Sequence, residues 1–265
     1  MAQMTLRSLY RYPVKSLRGG EFEALEVVEG GLRFDRHWMV VDAMGRFVTQ
    51  RQQARMALID ARVDDDSGLL LQAPGMPDLV VRGAQDATLP VVVWRDTVQA
   101  APVGGDADAW FSSFLGIDCR LVALPRDTRR NVDPDYAAAT DQVGFADGFP
   151  FLLISRASLD DLNARLQQPV PMLRFRPNLV VEGCAAYAED SWRRIRIGDL
   201  VFRVAKPCSR CIIPTIDPAT AQRGAEPLRT LMSYRRRDNK IYFGQNLIHD
   251  GTGRLAVGMP VEVLE

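Results

Sequence analysis

Residues 205–218 read AKPCSRCIIPTIDP, and two of the chain's four cysteines, Cys208 and Cys211, stand there in a C-x-x-C spacing. How this stretch is read decides the fold. A thioredoxin-type pair opens a helix that follows a strand, where the helix dipole lowers the thiol pKa; that would make the chain α/β. Here Ile212, Ile213, Pro214, Thr215 and Ile216 follow. They are mostly β-branched and interrupted by proline, so a helix starting at Cys208 would break within two turns. A zinc site needs four ligands, or three and a water. There is no second C-x-x-C, His37 and His249 are not in an H-x3-5-H spacing, and Cys119 and Cys184 are isolated. What stays open is a strand-like stretch whose thiols are either small packed hydrophobes or thiolate ligands for a soft metal.

Strand-like patterning continues on both sides. TLRSLYRYPV, EFEALEVV, HWMVVD, RFVTQR, ALIDARV, GLLLQ, DLVVRG, LPVVVW and DTVQAAPV fill most of the first 120 residues. They are short, rich in Val, Leu and Ile, and bounded by Gly, Pro or Asp, as a twisted barrel or sandwich requires. DADAWFSSFLG (106–116) interrupts them: Trp110, Phe111, Phe114 and Leu115 recur at helical spacing and Gly116 ends the run. Later, PFLLIS, NLVVEG, IRIGDLVFRV, IIPTID, KIYFGQNLI and PVEVL read as strands, with Gly198-Asp199 as a tight turn. SLDDLNARL (158–166) reads as a helix capped by Ser158 with Asp161 three residues on, and PLRTLMSYRR (227–236) as a short helix. Residues 124–149, charged and proline-punctuated, read as an exposed connection. The expectation is a mainly β, α+β chain of two barrel-like domains packed side by side, 1–123 and 124–265.

Composition narrows the function classes. Lys and Arg together number 33, as do Asp and Glu, so there is no basic excess of the kind that nucleic-acid and membrane-surface proteins use. Any anion site must then be a local cluster. MAQMTLRSLYRYPVKSL lacks the apolar run of a signal peptide, and no window resembles a spanning helix. A cytoplasmic protein with reduced thiols is expected, with no nucleic-acid or membrane partner. In that compartment C-x-x-C favours metal binding or catalysis over a structural bridge.

Four stretches could hold an anion or a polar heterocycle. YPVKS (12–16) ends in Lys15 and Ser16, FDRHW (34–38) carries Arg36 and His37, SRAS (155–158) opens a helix with two hydroxyls, and FRPN (175–178) flanks a proline with Arg176 and Asn178. Helix N-termini attract anions. Taken singly, each is more often a solvated charge or a cap.

Together, and in this order, YPVKSL, DRHWMVVD, FVTQRQ, FADGFPFLLISRASLDDLN, FRPNLVV, EDSW, CSRCIIPTIDPATA, EPLRTLMSYR and VGMPVEVL resemble the MOSC family. The resemblance is to its branch with an N-terminal β-barrel domain, similar to the mitochondrial amidoxime reducing component and its bacterial relatives. It runs from about residue 5 to the C-terminus. It implies a molybdenum–molybdopterin cofactor whose metal is held by the second cysteine of the pair, Cys211. Cys208 is then a neighbour. The pterin dithiolene already brings two soft sulfurs, so one protein thiolate suffices. By the same motifs, Lys15, Ser16, Arg36, Ser158, Arg176, Asn178, Ser209 and Arg210 are the implied phosphate and pterin contacts, Ser155 being an alternative to Ser158. Arginine forks suit phosphate and an amide suits a heterocycle edge.

The implied reaction is reduction of N-hydroxylated compounds to amines or amidines, with Asp217 a candidate proton donor or simply the turn residue before Pro218. The alternatives are a sulfur- or molybdenum-cofactor carrier, and a non-catalytic module with structural cysteines. Some bacterial relatives carry a ferredoxin-like extension; here the sequence ends at VEVLE, has no C-x4-C-x2-C, and has no G-x-G-x-x-G between strand and helix. The electrons are therefore expected from a separate reductase or electron-transfer protein. If the basic groups of both halves serve one ligand, Lys15 and Arg36 must face Cys211 across a cleft.

Overall fold

The β-branched runs become strands. HWMVVD forms Trp38–Asp42, LPVVVW forms Leu89–Val93 and PFLLIS forms Phe151–Ser155 in a computed structural model that describes residues 3–64 and 66–265. Those residues make a mainly β, α+β protein with three α-helices: Gly105–Leu115, Arg156–Ala164 and Leu228–Tyr234. Gly116 ends the first in the left-handed region (φ 69°), as a C-terminal glycine should. That helix buries Trp110, Phe111, Phe114 and Leu115 against Leu69, Leu71 and Leu121, each worth about 2 kcal/mol of apolar transfer.

The largest sheet has nine strands. Its main path runs Val261–Val263, Arg194–Ile197, Leu200–Ser209, Lys240–His249, Phe151–Ser155, Leu179–Glu182, Thr5–Arg11, Gly20–Phe22. Gly198-Asp199 turns between the second and third of these, with Gly198 at φ 56°. A four-stranded sheet orders Trp38–Asp42, Cys119–Ala123, Asp96–Pro102 and Leu89–Val93, and two three-stranded sheets complete the set. Among the described residues the strand ladders close no barrel.

Pairing runs across residue 124. Thr5–Arg11 is antiparallel to Leu179–Glu182, and Ala24–Val28 is antiparallel to Gly253–Ala256. One apolar core accordingly joins Leu6, Leu9 and Leu25 to Phe151, Phe202 and Leu255. YPVKS, at the end of Thr5–Arg11, is delivered by this pairing to the sheet that carries CSRC.

Four local expectations are corrected. RFVTQR makes only isolated bridges, Phe47 with Val41 and Arg46 with Val92, instead of a strand. IIPTID is a 3-10 turn, Ile213–Thr215, instead of a strand: Pro214 has no N–H for a ladder, and the Thr215 hydroxyl donates to the Ile212 carbonyl. Helix Arg156–Ala164 begins earlier than 158, and its cap is Ser155, whose hydroxyl accepts from the Ser158 N–H at 3.1 Å. Finally, the 124–149 connection is not simply exposed. Val132, Val143 and Phe145 are buried, and Arg130 is buried beneath the chain. Its guanidinium donates to the carbonyls of Gly144, Ala146 and Asp147, fixing that backbone.

Candidate functional site

Strand Leu200–Ser209 loses its regular register against Lys240–His249 between Pro207 and Ser209, and Arg210 N–H makes a last bond to the Ile241 carbonyl. Cys211 lies just past that point. Opposite stand the loops that end other strands and turns. Lys15 is fixed by its N–H to the Trp38 carbonyl, Arg36 by its N–H to Tyr12, and Arg176 closes the 3-10 turn Met172–Phe175. Ser16, Arg36 and Arg176 have φ of 67°, 47° and 57°. Left-handed backbone in side-chain-bearing residues costs about 1 kcal/mol each and collects at functional sites.

These loops border an open cleft lined by Lys15, Ser16, Arg36, Arg176, Asn178, Ser209, Arg210 and Cys211 together with Cys208, Asp147 and Phe149. Eight of the ten residues singled out in the sequence are thus on one surface. The guanidiniums of Arg36 and Arg176 both stand over the ring of buried Tyr12, at 4.3 and 4.4 Å. A side chain at Gly19 would strike that ring, its Cβ falling 2.3 Å from Tyr12 Cδ1. Asn178 is buried and already engaged: Oδ1 accepts from Arg36 and from the Leu152 N–H, and Nδ2 donates to the Tyr10 carbonyl. Its amide therefore aims Arg36 at the cleft.

Charge in the cleft is lopsided. Among the described residues, Lys15, Arg36, Arg176 and Arg210 line it with one carboxylate, Asp147, and Arg36 is also paired from behind by the buried Asp35. Lys15 is 4% exposed and donates to the Phe145 carbonyl and to Asp147. Burial pushes its ammonium down to about 8, with Asp147 opposing. Burial, with Arg36 close by, likewise pulls Arg176 down to about 10. Against the desolvation cost of its place, Lys15 and Arg51 hold the Asp147 carboxyl well below the usual carboxylate range. Arg51 reaches both Asp147 (3.2 Å) and the Cys211 sulfur (3.4 Å), while Arg210 donates to the Cys208 sulfur at 3.2 Å. Each thiol thus has its own guanidinium.

Ser158 and Asp217 lie outside the cleft. Ser158 is fully buried, and its hydroxyl is saturated by Ser155, by Glu189 Oε1 at 2.7 Å and by the Tyr187 N–H at 2.7 Å. A buried carboxylate occupies the helix N-terminus that the sequence offers to an anion. Ser155 is equally buried in the same cluster. Asp217 pairs with Arg174 at 2.9 Å and accepts the Ala219 N–H, so it is a turn residue with a cation partner. Arg51 and Asp147, by contrast, were not picked out from the sequence. They sit inside the quoted FVTQRQ and FADGFPFLLIS stretches, but only the folded chain shows them meeting at Cys211.

The donor set fits an anionic cofactor with a soft metal. Cations outnumber carboxylates in the cleft, Arg210 Nε is buried without a partner, and a thiol opens onto the same space. Among the described residues no three His, Cys, Asp or Glu side chains converge as a metal cage, so a metal here would need most of its ligands from a cofactor.

Comparison with known proteins decides the family. Residues 3–118 match the MOSC N-terminal beta barrel domain and residues 140–262 the MOSC domain. Mitochondrial amidoxime-reducing component 1 of Mus musculus is 39% identical, over 98% of this chain and 82% of the relative; its Homo sapiens counterpart is 38% identical, over 98% and 83%. The chain belongs to the MOSC family. Within it the alignment with the amidoxime-reducing components is nearly end to end. The molybdenum cofactor sulfurase of Oryza sativa subsp. japonica is 30% identical over 92% of this chain, which spans only 32% of that larger MOSC protein. Among the described residues no helix is long and apolar enough to cross a membrane.

Proposed function

We propose that this MOSC protein is a molybdenum-cofactor-dependent reductase that converts N-hydroxylated compounds to amines or amidines, using electrons from a separate protein. The observation that carries the proposal is the meeting of the paired cysteines, Cys208 and Cys211, with four cationic side chains drawn from both halves of the chain. The names of the relatives aligned along nearly the whole chain supply the substrate class.

In this reading the Cys211 thiolate would hold the metal of a molybdopterin, and Lys15, Arg36, Arg176, Ser209 and Arg210 would hold its phosphate and pterin edge. Bound there, the cofactor would supply a two-electron redox centre. The chain's own residues do the rest. Arg51 steadies the Cys211 sulfur, Asn178 and the Tyr12 ring set the guanidiniums, and Lys15 Nζ keeps a proton beside Asp147 at the mouth. Cleaving one N–O bond to amine and water takes two electrons and two protons. Lys15, whose ammonium is pulled down to about 8, is the group we assign to deliver those protons, with Asp147 as its counter-charge. All four cysteines are free, a state that suits a cytoplasmic setting.

Protein made in a host that synthesises the cofactor should reduce an amidoxime when given a chemical reductant, and stay idle with NAD(P)H alone. Steady turnover on NAD(P)H alone would refute the separate electron donor. Absence of turnover in protein carrying one molybdenum per chain would refute the activity. A carrier role, suggested by the sulfurase relative, would instead leave a persulfide on Cys208 or Cys211, visible by mass spectrometry.

A further inference from the structure

Trp94 occupies a place where the backbone favours the smallest residues. Strands Leu89–Val93 and Asp96–Pro102 pair with Val93 opposite Asp96, so Trp94 and Arg95 form a two-residue hairpin loop. Trp94 takes the left-handed conformation there, at φ 58°. Such positions belong to Gly, Asn or Asp, and a bulky side chain in this region is an outlier that points to function.

The side chain is also held in an unusual way. Its Nε1–H donates to Asp147 Oδ1 at 3.1 Å, the Arg51 guanidinium stands 4.8 Å from its ring, and Phe47 packs against it at 5.1 Å. Even so it is 46% exposed, whereas Trp38, Trp110 and Trp192 are buried. Asp147 lines the cleft, and the same Arg51 reaches the Cys211 sulfur. A large flat ring is therefore clamped at the cleft mouth, one guanidinium away from the reactive sulfur, with much of its surface free.

We infer that Trp94 is a specificity-determining platform on which flat, conjugated N-hydroxylated compounds stack as they enter the cleft. This rests on the proposed reductase reading and names the substrate class within it: aryl-substituted N-hydroxylated compounds over small alkyl ones. Offset stacking between aromatic planes is worth about 0.5–1.5 kcal/mol, which corresponds to a change of up to about tenfold in KM. The strain fixes the ring before the substrate arrives, so little freedom is lost on binding.

Benzamidoxime and acetamidoxime separate the two parts of the argument. In the cofactor-loaded enzyme, Trp94→Ala should raise KM for benzamidoxime about tenfold over Trp94→Phe, a variant that equally lacks the Nε1–H bond to Asp147, while the two variants share one KM for acetamidoxime. Trp94→Phe should retain most of the aryl preference. In oxidised, loaded protein without reductant, benzamidoxime should quench the long-wavelength tryptophan emission that only the exposed ring gives, and Trp94→Phe should abolish that quenching. An equal KM change for both amidoximes, or quenching that survives in Trp94→Phe, would overturn the platform. If the wild-type protein reduces neither amidoxime, the reductase reading fails, and the quenching still decides whether Trp94 binds the aryl plane.

Discussion

Two polar clusters of this protein look alike in sequence and are opposite in structure. At the start of helix Arg156–Ala164, Ser155 and Ser158 offer hydroxyls beside a helix N-terminus, a setting that attracts anions. In the fold Glu189 already fills it, accepting from the Ser155 N–H and the Ser158 hydroxyl deep in the core. In the cleft, Lys15, Arg36, Arg176 and Arg210 outnumber their two carboxylates, Asp147 and the buried Asp35, and Arg210 Nε is left without a partner. The first cluster contains its own anion, buried in the core with Glu189 Oε2 left without a partner; the second opens its cations onto a cleft. The difference is invisible in any short motif, because it depends on whether a distant residue arrives to supply the anion.

Substitutions should pull the two clusters apart. The largest effect is expected from Arg176→Met, which keeps the bulk and removes a buried cation. Cofactor retention should fall about a hundredfold, the value of roughly two charge-assisted hydrogen bonds, with only a small change in melting temperature, since loss of the bond to the Leu17 carbonyl is offset by removal of the buried charge. Molybdenum content after dialysis, alongside thermal unfolding, checks both. Ser158→Ala should do the reverse. It strands the Tyr187 N–H and leaves Glu189 Oε1 with the Ser155 N–H alone, costing about 2–3 kcal/mol of stability, while cofactor content stays at the wild-type level. If the Ser158 variant loses cofactor but not stability, the contrast is broken.

A smaller effect, with a pH signature, comes from the cleft's own ion pair. The folded pKa of Lys15, about 8, lies below its ordinary 10.5, so its buried charge costs stability below about pH 8. That cost fades as pH rises through the interval, because there the unfolded chain binds the extra proton. Asp147→Asn removes the counter-charge and pulls Lys15 lower still. The loss should be about 1–2 kcal/mol at pH 7, discounted from a fully buried pair because Asp147 is 58% exposed. Denaturant unfolding should show the deficit shrinking by about pH 9–10. A deficit constant across that range would mean that Lys15 does not titrate there. Smallest of all should be Asp217→Asn, with kcat changed less than about twofold, since this residue answers Arg174 outside the cleft.

The same distinction explains what could be read in the sequence. Local patterns gave the strands, the Trp110–Phe111–Phe114–Leu115 helix with its glycine stop, and the Gly198-Asp199 turn, because each is set by neighbours along the chain. IIPTID misled because its β-branched residues argue for a strand while Pro214 denies it a ladder. The pairing of Thr5–Arg11 with Leu179–Glu182 spans most of the chain, and no local pattern specifies a partner that far away. Site residues divide the same way. Lys15, Arg36, Arg176 and Cys211 sit in recognisable stretches, whereas Asp147 and the Arg51 and Trp94 that contact it come together only when the 124–149 connection, pinned by Arg130, folds over them. Ser158 was misplaced because a cap and an anion site share one sequence signature.

The central claim is that Cys211 alone, set among the cleft's cations, gives the metal its protein ligand. It is tested most directly by measuring molybdenum per chain in Cys211→Ala and Cys208→Ala, made side by side in a host that synthesises the cofactor. The account predicts that Cys211→Ala retains less than about a tenth of the wild-type metal and no turnover, and that Cys208→Ala retains most of both, since a single thiolate completes the soft-ligand set. Equal loss in the two variants would make the pair a unit, and full metal in Cys211→Ala would contradict the assignment outright.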